Sequence, residues 1–594
     1  MSPRCCRLAT FSARTNIVPV EQVETAQRVS TRERPSAQDG LSLRNWAALL
    51  IGLSTLSLAI TGFTIGNNNI FHIPILEGSW REPQFAHDAF MQSLRYFSSG
   101  FWLMQAGIAD DSNVLKYFLP WLFISRLVFF AGIGSWIAVL GLKRRTQIVI
   151  FMLLSAVISL LRGESFAGDG GIAIGQFTHS ELGNGLSLIA LALVWRRCYG
   201  WALAFAGLVF FLNVFMAVWL APLIATMVVL QWREHRLSLS LLMRKGWPGL
   251  LACVVPGVPV LTSLALNPEL GKRPEYDYRV FLLEHWPDHF LAMHLAVMQY
   301  VGFVIVVATA IGSALQLPRD QARLICSLTG VMLAIWTIGA LLPLFTSSPT
   351  LFNLHLLRST TYLQILAGLA LAALITRWMT SANEADRFLW APILVLSVVV
   401  KPIGAAALFP VLAMRKAWRP GTRLASPIVA ALLLTLSSAA TVALIVKQYR
   451  RDSYAAAKRA DWLALASWAK ANTPPDTVFL LPVMRLHDRS PLPTAPARMT
   501  DLLIGSEVFP AMSHRQVWVM GKYGAAAQWL PSYYPIWHER MVGSLLATSL
   551  SERLTYARSN VIGMVVDDCG AAGSNVPVYR SGKLCVFASN HAER

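Results

Sequence analysis

The feature that most constrains this chain is a succession of apolar runs, roughly 15 to 25 residues each, of the kind that crosses a bilayer as helices. Read that way, the spans lie at about 46–65, 117–140, 147–161, 182–195, 201–216, 218–232, 247–265, 290–314, 324–345, 359–376, 388–400, 403–414 and 425–447. Basic clusters follow every second run: Lys143-Arg144-Arg145, Arg196-Arg197, Arg233 to Arg236 with Arg244-Lys245, Arg319 to Arg323, Arg377 to Arg387 and Arg415 to Arg423. Arg and Lys are retained on the cytoplasmic side. The segment before Trp46 holds seven arginines against four acids, so it is expected inside as well. Thirteen spans, an odd number, then place the C-terminal part outside. Short members in the pairs 201–232 and 388–414 read as tight or re-entrant hairpins, and losing a whole pair leaves the parity unchanged.

Composition supports this class. The chain is 55% hydrophobic and 14% charged, with mean hydropathy +0.49, which excludes an ordinary soluble protein. A net charge of +19 could suggest nucleic acid. The basic residues, however, sit in short groups beside apolar runs, where they set topology and meet anionic headgroups, so no nucleic-acid partner is expected. Residues 1–45 are Arg-rich without an apolar core and read as a disordered cytoplasmic tail, with Cys5 and Cys6 incidental to it. From 448 to 594 the composition shifts to charge clusters, turn residues and short alternating runs such as Thr477 to Leu481 and Val517 to Met520. That pattern predicts a small extracytoplasmic α/β domain whose first helix is Asp461 to Ala471. Its two cysteines, Cys569 and Cys585, close one hairpin or loop and are expected to pair in an oxidising compartment. The fold class predicted is thus an α-helical polytopic membrane protein of about 11–13 spans with a C-terminal extracytoplasmic α/β domain.

Chemistry concentrates in the predicted outer loops, 66–116 and 162–181. In the first, NNNIFHIPILEGSWREPQFAHD gathers His72, His87, Glu77, Glu82 and Asp88 among apolar anchors and prolines. A carboxylate held at a membrane surface can take a proton from an acceptor hydroxyl or bind a divalent cation. Each residue also has a plainer role: a helix N-cap for Asp88, a solvated turn for Glu77, a packing histidine for His72. After it, Phe90, Leu94, Phe97, Phe101, Met104 and Ile108 recur at helical spacing and predict one amphipathic helix lying in the interface. The second loop, RGESFAGDGGIAIGQFTHSE, offers Glu164, Asp169, His179 and Glu181 around Gly168 to Gly171. Glycines of this kind serve as a hinge or let backbone N–H groups approach a phosphate. Arg95, Lys272, Arg273, Arg279, Arg358 and Lys401 are the outward cations that could neutralise a phosphate, and Arg358, after His355, is the best placed. No Walker loop, GxGxxG after a strand, HExxH, CxxC or nucleophile elbow occurs, which disfavours ATPase, dinucleotide, zinc-protease and serine-hydrolase chemistry.

In its order of parts the chain resembles the GT-C superfamily of lipid-linked-sugar glycosyltransferases. NNNIFHIPIL with the following aromatic and acid, and the later TPPDTVFLLPV, SHRQVWVMGKY and IWHERM, are similar to bacterial multi-span proteins related to that superfamily. The resemblance implies a bacterial inner-membrane enzyme of the cell envelope. It would transfer a sugar from a polyprenyl-phosphate donor to a glycan, lipid or protein acceptor. It assigns catalysis to Asp88 with Glu77 or Glu164, a Mg or Mn ion to Asp88, and substrate binding to His72, His87, Asn69, Arg95, His355 and Arg358. Within NNNIFHIPILEGSWREPQFAHD the family's adjacent acidic pair is absent; the nearest equivalents are His87-Asp88 and the separated Glu77 and Glu82. A transporter or flippase, suggested by Arg126 inside a span and by Pro222, Pro256 and Pro259, and a non-catalytic assembly protein are the competing readings.

Overall fold

The computed structural model describes residues 41–66, 68–234, 239–418 and 423–589. Most of the tail, with Cys5 and Cys6, and Asn67 lie outside the described residues. The first helix, Leu43–Thr61, begins inside the predicted tail because Ser42 caps it, its Oγ accepting from the Asn45 N–H at 3.2 Å.

Among the described residues, eight helices are long and apolar enough to cross a membrane. The other five predicted spans are helices as well, but shorter: 13 residues for Arg145–Val157, 17 for His179–Trp195, 14 for Tyr199–Leu212, and 10 each for Ala391–Val400 and Leu408–Ala417. Ala391–Val400 continues directly from the helical turn Asp386–Trp390, and Pro402–Ala407 runs directly into Leu408–Ala417, so the 388–414 pair reaches from the Arg415–Asp386 pair to Val400 and Pro402 on the cavity described below.

Thr360–Met379 is the hub of the bundle. Its central stretch is wholly buried. The run ILAGLALAAL supplies small residues that let neighbouring helices approach closely, and a side chain on Gly368 would strike Leu161. Segments predicted to share a side do meet. At one end Arg377 Nη2 donates to the Leu140 carbonyl at 2.8 Å, Gln147 Nε2 to Thr380 Oγ1 at 3.2 Å, and Arg415 pairs with Asp386 at 2.6 Å. At the other end the first loop, residues 278–291 and the C-terminal part share one apolar core built on Phe71, Trp102, Phe281, Trp462, Phe479 and Trp537.

Two expectations are corrected here. The stripe from Phe90 to Ile108 is not one helix. It breaks into Ala89–Ser93, a tight turn at Leu94–Tyr96, and Gly100–Met104. Ser99 is buried and donates to the Leu212 carbonyl at 2.8 Å, while Trp102, off the stripe, is fully buried. Phe90, Leu94, Phe101 and Trp102 pack into the core shared with the C-terminal part, and Met104 and Ile108 stay exposed. Secondly, the boundary placed at 448 falls inside a single helix of 46 residues, Pro427–Asn472. The last span and the predicted first helix of the C-terminal domain are one element.

The strands are short. β1 (Gly163–Glu164) and β2 (Gly171–Ala173) form a hairpin in the second loop. In the C-terminal part, β3 (Val478–Leu480), β4 (Gln516–Val517), β5 (Met564–Asp568), β6 (Tyr579–Ser581) and β7 (Leu584–Ala588) make a sheet of order β4-β3-β5-β7-β6. β3 is parallel to β4 and β5, and β5, β7 and β6 run antiparallel. Cys569, just after β5, is disulfide-bonded to Cys585 on β7.

Candidate active site

A cavity of about 1340 Å³ lies where the ends of the bundle helices, both loops and the C-terminal part meet. Its charged wall starts from the hub. Arg358 and His355 stand at the entrance to Thr360–Met379, in the short turn Leu356–Ser359 and its αL cap. The β1–β2 loop is pressed onto that turn. A Cβ on Gly168 would strike the Leu357 carbonyl, and one on Gly170 the Thr361 hydroxyl. The glycines therefore serve close approach to this chain's own backbone. Ser165 completes the turn, its Oγ accepting from the Gly170 N–H at 3.0 Å. Ala167 and Asp169 are held at φ 57° and 49°, a region that side-chain-bearing residues visit rarely.

This packing brings Arg162, Glu164, Asp169 and Arg358 to one wall, and the C-terminal part adds Lys522. Burial, reinforced by the Glu164 and Asp288 carboxylates, pushes Asp169 up to about 6. Burial and the Arg358 cation bring the Lys522 ammonium down to about 7. Among the described residues Lys522 has no ion-pair partner; its Nζ sits 3.9 Å above the Trp286 ring. Arg162 holds the Val399 carbonyl through Nη2, while its Nη1 and the Arg358 Nε have no protein partner. Beside Asp169, Gln299 reaches toward its carboxylate at 3.5 Å and donates to Asp288 at 2.9 Å, and Asp288 also takes His487 at 2.6 Å.

The rest of the wall is aromatic and imidazole. His72 stacks on Trp102 at 4.0 Å, and Trp102 Nε1 donates to His179 Nδ1 at 2.9 Å. Asn69 lies 3.5 Å from His72 and donates to the Phe177 carbonyl at 3.3 Å. Asn69 thus fixes the loop, while His72 faces the cavity.

Of the residues singled out from sequence, His72, Glu164, Asp169, His179, Lys272, His355 and Arg358 line the cavity. Asp88, Glu77, His87 and Arg95 do not. Asp88 is the N-cap of Ala89–Ser93, accepting from the Met91 N–H at 2.9 Å, and its carboxyl is raised by burial. Glu77 accepts from Ser79 Oγ at 3.2 Å and is pushed up to about 7, chiefly by burial. His87 and Arg95 are exposed. Glu82 joins the loop to the C-terminal part: His514 donates to Glu82 and to Asp111, each at 2.7 Å. Arg126 pairs with Glu181, which also accepts from Ser125 at 2.8 Å, and donates to the Ile174 carbonyl at 2.6 Å; Arg126 Nε and Glu181 Oε2 find no partner among the described residues.

A divalent cation needs several oxygen ligands together. Asp88 offers one carboxylate already engaged as a cap, and among the described residues no three His, Cys, Asp or Glu side chains converge as a metal set. The residues around Asp88 do not fit a cation. Lys522 and Arg162 are the additions the structure makes. The first lies within SHRQVWVMGKY, whose lysine could have been read beside the outward cations. HWPDHFLAMH, with His285, His289 and His294 between two spans, was a further unused signal.

No protein-family profile matches the chain, and no curated protein does. Among solved structures it is similar to the crystal structure of ArnT from Cupriavidus metallidurans bound to undecaprenyl phosphate. The likeness covers 92% of this chain and 98% of that chain at 15% identity, with a TM-score of 0.38. At that level it carries no functional argument.

Proposed function

We propose that this protein transfers a sugar from a polyprenyl-phosphate-linked donor to an acceptor hydroxyl, on the outer face of the membrane. The observation that carries the reading is the convergence of Arg162, Arg358 and Lys522 with Glu164 and Asp169 on one cavity at the end of the bundle. Cations without full protein partners are suited to a phosphate, and Arg adds directional donors. Thr61, Leu264 and Val400, at the ends of apolar helices, also line the cavity, which suits a headgroup whose tail stays in lipid.

In the transfer, the acceptor oxygen bonds to the anomeric carbon while the bond from that carbon to the phosphate oxygen breaks. The electron pair leaves with the phosphate, whose growing charge faces Arg358, Lys522 and Arg162. The acceptor proton passes to Asp169. A carboxylate raised to about 6 is better matched to that task near neutral pH than an unperturbed one. Glu164, open to the cavity, orients the acceptor. The basic clusters at the opposite end of the bundle support the outer placement. The intramembrane charge on which a transporter reading draws, Arg126, is already neutralised by Glu181.

The deciding experiment is turnover of polyprenyl-phosphate sugars by purified protein in lipid nanodiscs. Transfer in the wild type and its loss in Asp169→Asn are expected. Failure to bind any polyprenyl phosphate would overturn the reading.

A further inference from the structure

We infer that Asp288, Gln299 and His487 are positioning residues that set the basicity of Asp169, and that Asp288 and His487 act on it with opposite sign. This rests on the function proposed above, in which Asp169 takes the acceptor proton.

Gln299 is the third residue of the helix Val297–Ala314, and its Oε1 accepts from the Ala296 N–H at 2.8 Å to close the start of that helix. The amide nitrogen is thereby turned the other way, with two N–H groups to offer. It donates to Asp288 Oδ2 at 2.9 Å and reaches Asp169 Oδ1 at 3.5 Å. Carboxylates that share one nitrogen lie about 6 Å apart or less, close enough for each to strengthen the other's hold on a proton. Asp288 is only 3% exposed, so water and salt screen it little.

Asp288 is covered in turn by His487, whose Nε2 donates to Oδ2 at 2.6 Å. His487 belongs to a loop of the C-terminal part that is strapped across residues 284–294. Ser490 Oγ donates to the Glu284 carbonyl at 2.6 Å, and Arg489 donates to the His294 carbonyl. Arg485 Nη1 folds the loop on itself, donating to the Ser490 and Leu492 carbonyls at 3.2 and 3.3 Å. These ties to backbone carbonyls already hold the strap. His487 adds to it a titratable group aimed at the carboxylate beside the base.

The charges that face Asp169 fall into two sets. Behind burial, which dominates, Glu164 from its own hairpin and Asp288 from Pro287–Phe290 hold its proton, while Arg358 from the hub and His487 from the strap release it. Arg162 and Lys522 stand on the same wall. The bond to Asp288 raises His487 above the ordinary imidazole range, so where Asp169 titrates, near pH 6, the ring is a cation and masks Asp288. Removing the imidazole unmasks the carboxylate and strengthens Asp169 as a base. Removing the carboxylate leaves the cation alone and weakens it. Both changes break the same hydrogen bond, so a pair with a purely structural duty would respond alike to either.

The test follows single-turnover consumption of saturating polyprenyl-phosphate sugars, a hexose and an amino sugar, by the full-length protein in nanodiscs from about pH 5 to pH 8. Turnover by the wild type should fall away on the acid side near pH 6. Asp288→Asn, nearly isosteric, should move that limb down by about one pH unit, and His487→Gln, which keeps a donor without the charge, should move it up by a similar amount. Affinity for polyprenyl phosphate should stay within about twofold of wild type in both variants, which shows that they are folded. If Asp288→Asn loses that affinity, the direction of the shift in His487→Gln decides alone. Limbs that move the same way, or do not move, overturn the inference, and turnover by the wild type then leaves the transfer reading standing. No turnover of either donor by the wild type overturns both.

Discussion

Replacing Lys522 by methionine keeps the stem packed on Trp286 and removes the ammonium. Among the described residues its Nζ has no ion-pair partner, so the donor phosphate is its first ion pair. A hydrogen bond to a charged partner contributes about 1.5–3 kcal/mol. With the free ammonium at about 7, about half the sites are charged at pH 7, which costs only about 0.4 kcal/mol. The expected loss is therefore roughly six- to eightyfold in affinity for a polyprenyl phosphodiester. The sign of the pH dependence follows from the depressed value: the cation is present below pH 7 and is lost as pH rises through it. Between pH 6 and pH 8 the charged fraction falls from about 0.9 to about 0.1, so wild-type affinity should drop about tenfold. A phosphodiester is the right probe because its own charge is constant over that range. Asp169, ionising near 6, adds a smaller fall to both proteins. The difference in slope between wild type and Lys522→Met therefore isolates the lysine. Isothermal titration or fluorescence quenching in nanodiscs at pH 6, 7 and 8 reads it. Equal affinities, or equal slopes, would refute Lys522 as the phosphate anchor.

Asp169→Asn should lower turnover by about 10²–10⁴ with donor affinity retained, whereas Asp88→Asn, which keeps an N-cap, should leave turnover within about twofold of wild type; single-turnover kinetics separate the two. His514, donating to Glu82 and Asp111, is raised to about 9. Its contribution, about 2 kcal/mol, is present below pH 6.5 and lost as pH rises toward 9, so, once the intrinsic base-catalysed rise in amide exchange is divided out, protection in residues 79–111 should fall across that window and stay constant in His514→Ala. Reporter fusions after Ala109 should be extracytoplasmic and after Arg145 cytoplasmic; the reverse would sink the proposed placement of the cavity.

The fold class was legible because the apolar runs are long and their basic flanks alternate, and each of the runs is a helix. What misled was local. Helical spacing from Phe90 to Ile108 is also met by two short helices around Ser98-Ser99-Gly100, where Ser99 serves the Leu212 carbonyl, a partner that spacing cannot reveal. The boundary was placed at 448 because the charges from Lys447 to Lys458 change the composition there, and nothing local says that a helix continues through them. At the site, acid density in the first loop was read as chemistry, yet Glu82 and Asp88 are spent on His514 and on a helix cap. The second loop was weaker as a pattern and stronger as a place. Its glycines bring Asp169 against the hub, which only packing shows.

The unbroken helix Pro427–Asn472 has a mechanical consequence. At 1.5 Å per residue its 46 residues span about 69 Å. It starts with apolar side chains such as Ile428 and Leu432 exposed, passes Arg451 and Arg459 along the cavity, and ends under the C-terminal sheet. Such a rod acts as a lever: a change in tilt of about 5° displaces its far end by about 6 Å, more than the width of a phosphate contact. Tilt is one way a helix accommodates bilayer thickness. The thickness of the surrounding membrane thereby becomes an input to the geometry of a site that lies at its edge.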